Sequence, residues 1–406
     1  MRLPLRLSDL LILFTAVDLL VLYLALSAAG RGGLVLPVLV VAMVLTRVYT
    51  AAASDRLRLL VLLALVAVVF VLPQGLLIVS RPPHAPVQDG LLITEAAARR
   101  LLAGLDPYGH DYLDSAPLRA FYAPEFPVNP LLGHYVYPPG PVLLATPFQA
   151  LGVGLAWLWL PAILALALAA HAAAGRAGVV AVALNPLLLF DYLYLFNDLL
   201  FLAAALAGTW LLGKRRFVAG GAALGAALLL KQQAVLFIPF GVLLAGRRGW
   251  LPALAGGGAT VLLVSLPFLL WSSGAFLGDT AAYFYGSGLA SFPIRGLGLP
   301  GLLLSLGVIP NRWAAYPAGV LQALLALPLL GLAMMRLHRR FSWPAFWGWL
   351  GLFSAAVFLL GRTLAPNYVT LVGLLLTLAL ASGLEDPVPG AAVAGGLDRP
   401  AREPGI

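Results

Sequence analysis

Asp89 is the first side chain in this sequence whose type and setting could do chemistry. It stands near the head of a polar stretch, 88–137, in a chain that is otherwise nearly all apolar. A carboxylate at the mouth of a helical bundle can accept a proton from an attacking hydroxyl held within hydrogen-bond reach. The position also suits a helix N-terminal acid, because Asp89 precedes a helix-like run, 91–104, and would favour the positive end of its dipole. Within that run Glu95 and Arg99 are spaced i, i+4 and are expected to pair on one face. Arg100 falls outside the pair and is the better candidate to meet a phosphate. Gly104 fits a helix C-cap, and Asp106-Pro107 a turn. Tyr108, His110, Tyr112, His134, Tyr135 and Tyr137 follow, a set of hydrogen-bonding aromatics of which each alone fits an interfacial anchor slightly better than a ligand.

Lys231-Gln232-Gln233 is a sharper signal. The 30 residues between Arg216 and Arg247 suffice for two helices of about 15, each ~22 Å long at the α-helical rise. Two such helices barely cross a bilayer, so their tip, with Lys231, is expected below the outer surface. An ammonium at that depth needs a polar cavity or an anionic partner, most simply a phosphate. Asn197 and Asp198 begin another apolar helix, where Asp198 is either a helix-start acid or a second site acid. Arg362, Asn367 and Tyr368 make a further polar edge, and Arg295 lies in an outer segment; either arginine could anchor to lipid headgroups. No Gly-Lys-Ser/Thr phosphate loop, His-Glu-x-x-His or Gly-x-Ser-x-Gly motif is present. The five histidines show no metal-binding spacing, so no metal site and no cofactor are expected, with divalent-metal dependence left open.

The elements that must position these groups are membrane spans. The chain has 406 residues, 62% hydrophobic and only 10% charged, far from the roughly one-quarter charged content of soluble domains. Many apolar runs approach the roughly 20 residues needed to cross a bilayer. The expected fold is all-α: a polytopic integral membrane helical bundle of about 12 spans, with a large outer loop, 81–154, carrying amphipathic helices. The spans are read near 9–29, 34–50, 58–80, 155–173, 178–195, 198–213, 217–231, 234–246, 250–271, 313–335, 342–361 and 365–382. Residues 1–384 form one transmembrane domain in this reading, and 385–406, rich in Pro, Gly and charge, a disordered cytoplasmic tail.

Placing both termini in the cytoplasm puts the basic turns Arg47/Arg56/Arg58, Arg176, Lys214-Arg215-Arg216, Arg247-Arg248 and Arg336/Arg339/Arg340 inside, as orientation by positive charge requires. The same rule accounts for the net charge of +9, so no nucleic-acid partner is expected. Arg2 and Arg6 before an apolar run resemble a signal peptide, but the run is long and carries Asp18, so an uncleaved first span is expected. Cysteine is absent, which excludes disulfides and thiolate-bound metals. Gly221-xxx-Gly225 is expected to let two helices approach closely. The Leu/Ala/Gly/Pro bias points to a GC-rich prokaryote, and hence to a prokaryotic plasma (inner) membrane.

The order of these motifs resembles the C-type (GT-C) superfamily of membrane glycosyltransferases, closest to its polyprenol-phosphate-mannose-dependent mannosyltransferase branch. The resemblance rests on Asp89 after an early span, 96–104 leading into Asp106-Pro107-Tyr108, then Tyr137-Pro138-Pro139. It continues through Asn185-Pro186, Asn197-Asp198, the Gly-rich helix ending at Lys231-Gln232, and Asn367-Tyr368. It implies transfer of a hexose, mannose-like as a first assignment, from a polyprenyl-phosphate carrier to a hydroxyl of a lipid, glycan or protein acceptor at the outer face. Asp89 would be the general base. Lys231 and Arg362 would hold the carrier phosphate, with Arg100, Gln232, Asp198, Asn197, Tyr137, His134 and Tyr368 as further substrate- or phosphate-binding residues. The alternative is a transporter or flippase for a lipid-linked or small anionic substrate. Transporters concentrate polar groups on paired broken helices at the midplane, whereas this chain gathers its acids on one face.

Overall fold

The computed structural model describes residues 5–28, 30–80, 87–122, 133–283 and 292–384. The expected tail 385–406 and part of the expected outer loop, 123–132, lie outside the described residues. What is described is a helical bundle. Helices α1 (Leu7–Ala28), α2 (Val35–Ala51), α3 (Asp55–Val66) and α4 (Leu72–Val79) come first, the last two continuous through a π-helical turn at Ala67–Val71. Next come α5 (Asp89–Leu102), α6 (Ala116–Tyr122) and α7 (Pro139–Ala150), within the segment 81–154 expected to form an outer loop. The remaining helices are α8 (Trp159–Gly178), α9 (Pro186–Leu193), α10 (Asp198–Gly213), α11 (Phe217–Leu230) and α12 (Phe237–Leu277), followed by Leu299–Ser305, Ala318–Arg339, Trp343–Leu360 and Pro366–Ala381.

Among the described residues, seven helical stretches have the length and apolarity to cross a membrane, and α10, α11 and Pro366–Ala381 are shorter apolar helices. Helical structure lies within each of the twelve segments read from the sequence, although 178–195 is interrupted at Leu184–Asn185 and 313–335 becomes helical only from Ala318. Their outward faces carry large apolar side chains, with Leu263 71% and Leu270 79% exposed on α12. Such a surface suits hydrocarbon, where burying apolar atoms from water is already accomplished by lipid. This is an integral membrane protein.

Local chemistry explains where the helices start and stop. Ser54 accepts a hydrogen bond from Leu57 N at 3.2 Å and Asn185 from Leu187 N at 3.1 Å, each satisfying an amide that the first turn leaves without a partner. Ser342 does the same for Ala345 N at 3.3 Å. At Lys231 the backbone turns extended (φ −161°, ψ 134°), ending α11 before a 3-10 turn, Gln232–Leu236, leads into α12. Gly246, at φ +62°, then divides α12 into two arms beside Arg247-Arg248. The expected pair of short helices with Lys231 at their shared tip is therefore present.

The small residues of α11 pack as expected. A Cβ at Gly221 would overlap the carbonyl of Ala253, and one at Gly225 would lie 2.6 Å from that of Gly257. Only hydrogen at these positions lets α11 seat against the second arm of α12.

Two expectations need correction. Glu95 and Arg99 do not pair: Glu95 Oε1 accepts from Leu155 N at 2.7 Å, and Arg99 Nη1 donates to Gln149 Oε1 at 2.8 Å. The free amide before α8 and a side-chain amide on α7 give each a fixed partner, which an exposed ion pair at one helical turn does not outweigh. Nor are Tyr108, Tyr112 and Tyr135 interfacial anchors. All three are buried, with Tyr108 Oη donating to Tyr137 O (3.1 Å), Tyr112 Oη to Pro107 O (2.7 Å), and Val142 N donating to Tyr135 Oη (2.9 Å).

Candidate active site

Asp89 is the first residue of α5, preceded by Gln88 in extended conformation. Gln88 N donates to Tyr194 O at 3.0 Å, which ties the start of α5 to the turn after α9. Both oxygens of Asp89 are engaged. Gln88 Nε2 donates to Oδ1 at 2.6 Å, and Tyr122 Oη, at the end of α6, makes a short hydrogen bond to Oδ2. Burial first, and then the neighbouring carboxylate, push the Tyr122 phenol well above its usual pKa, so it stays a donor. Each carboxylate oxygen keeps a second lone pair for a substrate hydroxyl. Gly90 has no room for a side chain, because a Cβ would run into Tyr137 Oη and Gln88 Oε1.

Asp89 opens onto a cavity of about 380 Å³. That fits one polar head group and is too small for a long lipid tail. Tyr122, His134, Tyr137, Lys231, Gln232, Arg295, Asn367 and Tyr368 share its wall. Lys231 reaches it from the break after α11. Its Nζ donates to Asn197 Oδ1 and to Asp198 Oδ2, both at 2.7 Å, and Asn367 Nδ2 donates to Asp198 Oδ2 at 3.0 Å. The Lys231 and Asp198 side chains are only 4% and 3% exposed. An ammonium has three donors, so one remains for the cavity after these two bonds.

Gln232 joins the two outer segments, donating to Val136 O at 2.6 Å beside the terminal turn of α12. That turn, Gly278–Ala282, carries Asp279, whose Oδ1 meets His134 Nδ1 at 2.9 Å and whose Oδ2 accepts from Gly109 N at 2.6 Å. The far wall is a parallel pair of two-residue strands, β1 (Arg295–Gly296) and β2 (Thr363–Leu364). Gly296, at φ +80°, sits where a Cβ would collide with Leu364 O, so the close pairing requires glycine.

The structure thus brings Asp89, His134, Tyr137, Lys231, Gln232 and Tyr368 to one cavity, with Asn197 and Asp198 directly behind Lys231. It leaves out two residues expected there. Arg362 is buried, donating through Nε to Phe292 O (3.0 Å) and through Nη1 to Ala314 O (3.1 Å); it braces the outer segment. Arg100 Nε donates to Asp106 O at 2.7 Å and holds the turn after α5. The arginine on the cavity wall is Arg295. Tyr122, Gln88 and Asp279 were not legible as site residues, since Tyr122 lies 33 and Asp279 145 positions from the partners that define them. Among the described residues no three His, Asp or Glu side chains converge as a metal site.

The membrane bundle thus gathers an acid, a buried ammonium and an arginine around one head-group-sized cavity. The family model of glycosyltransferase family 87, GT87, matches residues 135–365, more than half of the chain. The protein therefore belongs to glycosyltransferase family 87, a GT-C type family, and is a membrane glycosyltransferase. The matched region contains Lys231, Gln232, Asp198, Arg295 and Arg362, while Asp89, Tyr122 and His134 lie before it. No curated protein and no solved structure matches the chain.

Proposed function

We propose that this glycosyltransferase moves a hexose, mannose-like as a first assignment, from a polyprenyl-phosphate carrier to an acceptor hydroxyl at the outer membrane face. The observation that carries this reading is Asp89 sharing one cavity with Lys231 and Arg295. Asp89 takes the proton of the acceptor hydroxyl as its oxygen bonds to the anomeric carbon. The bond from that carbon to the phosphate oxygen breaks, and its electron pair leaves with the phosphate. The donor is a phosphodiester with one negative charge and the product a monoester with two, so one charge develops in the transition state. The third donor of Lys231 and the Arg295 guanidinium are the groups that stabilise it. Tyr122 and Gln88 fix the base, while Tyr137, Gln232 and Tyr368 supply hydrogen bonds for sugar hydroxyls.

Twelve passes with both termini in the cytoplasm, in a prokaryotic plasma membrane, complete the reading. Family membership leaves the transporter alternative without support. The acceptor is a lipid, glycan or protein. The test is acceptor-dependent release of free polyprenyl phosphate from a panel of polyprenyl-phosphate hexoses, with wild type beside Asp89→Asn. Wild type is expected to release it with one sugar. The variant should lose about 10²–10⁴-fold, the usual worth of a positioned general base. Equal rates from both proteins would remove Asp89 from that role.

A further inference from the structure

Two basic side chains of the cavity, Lys231 and His134, are held by the same construction. Lys231 has a carboxylate behind it, Asp198, and one donor left for the cavity. His134 has Asp279 behind Nδ1 and lines the same cavity, with Nε2 as its remaining hydrogen-bonding atom. Asp279 is itself held in place by Gly109 N, so the dyad is anchored to both outer segments. Its position sets the tautomer: with Nδ1–H given to the carboxylate, Nε2 carries the second proton only when the ring is an imidazolium. A protonated ring then presents Nε2–H as a charge-assisted donor beside the site where phosphate charge grows.

We propose that His134 and Asp279 form a proton-gated clamp on the carrier phosphate, closed while the imidazolium persists and open once the ring is neutral. The clamp rests on the lipid-phosphate reading above and adds to it a pH-dependent grip on the leaving group. No proton moves to the phosphate in this scheme; the clamp donates a hydrogen bond, and the acceptor's proton stays with Asp89.

The groups facing His134 give the sign. The hydrogen bond to Asp279 is the largest influence and raises its pKa; burial opposes it, and the nearby charges of Asp279 and Asp111 add to the rise. Asp111 is opposed to His134 in an antiparallel bridge, and the nearby His110 has its pKa lowered by burial and then by the Arg100 charge. Across the cavity stand Asp89, Tyr122, Tyr137, Lys231, Tyr283 and Arg295. The net shift is upward from 6.5, so the clamp is fully closed below that pH and is lost as pH rises through the raised value.

The experiment uses the purified full chain and methyl farnesyl phosphate, a phosphodiester whose own charge is constant across the range. Farnesol is the uncharged control. Affinity is measured from pH 5.5 to 8.5 for wild type, His134→Gln and Asp279→Asn, with thermal unfolding of each as a check on folding. Wild type is expected to weaken about tenfold above the raised pKa, the worth of roughly one pK unit of linkage. In Asp279→Asn the same fall should begin at lower pH, and in His134→Gln it should be absent. Farnesol should show no such dependence. Superimposable pH profiles in wild type and folded His134→Gln would overturn the clamp while leaving the donor class intact. Failure of folded wild type to bind the phosphodiester at any pH would instead overturn the lipid-phosphate reading, and the clamp with it.

Discussion

At the scale of single residues, the site is a set of charges that are each already answered by the protein. Lys231 was legible in the sequence because it stands at the midpoint between two basic turns too close together for two full spans. Its partner Asp198 was visible only as one of several helix-start acids, and Asn367, which completes the cluster, is 169 positions away from it. Removing one member of a buried pair strands the other. Lys231→Met should therefore cost about 3–5 kcal/mol of stability, with a matching fall in the unfolding temperature in detergent. The double variant Lys231→Met/Asp198→Leu should recover much of that loss while staying inactive. Additive losses in the double variant would show that the two side chains are not coupled. Arg362 and Arg295 teach the converse. Arg362 was expected to hold the carrier phosphate and Arg295 was read only as an outer arginine, yet it is Arg295 that lines the cavity while Arg362 braces the loop behind it.

At the scale of elements, helices were legible and their mutual placement was not. Apolar runs between charged turns give the positions of the spans, and Gly221-xxx-Gly225 marks a close helix contact. The short α6 is different: nothing in its sequence announces that Tyr122 will return to Asp89 across the outer loop. Periodicity reports burial, not which partner a buried face will meet. The α11–α12 contact yields a direct test. Gly221→Leu would drive a side chain into the Ala253 carbonyl, so α11 must shift and carry Lys231 with it. We expect a loss of both stability and transfer, whereas Gly258→Ala on the neighbouring turn, where a Cβ meets nothing within 4 Å, should be close to neutral. Similar unfolding temperatures for the two variants would refute the tight contact.

For the whole molecule, the proposed orientation rests on charge alone and can be measured cleanly, because the sequence has no cysteine. Single cysteines placed at Arg215 and Arg248 should react with a membrane-impermeant thiol reagent only from the cytoplasmic side. One at Leu105, exposed just beyond α5, should react only from the outer side. Labelling of Leu105→Cys from the inside would invert the topology and move the cavity to the other face.

The cluster around Lys231 also bears on how the enzyme is made. Its contributors come from α10, from the break after α11 and from the helix Pro366–Ala381, so ribosomal synthesis delivers Asp198 first, Lys231 soon after and Asn367 last. Asp198 and Lys231 enter the membrane as a pair that can neutralise itself early. Asn367 and Tyr368 close the cavity only after the helix Pro366–Ala381 has been inserted. A chain that has not yet delivered this helix therefore carries a stabilised but incomplete pocket, and competence to transfer sugar waits on Asn367 and Tyr368.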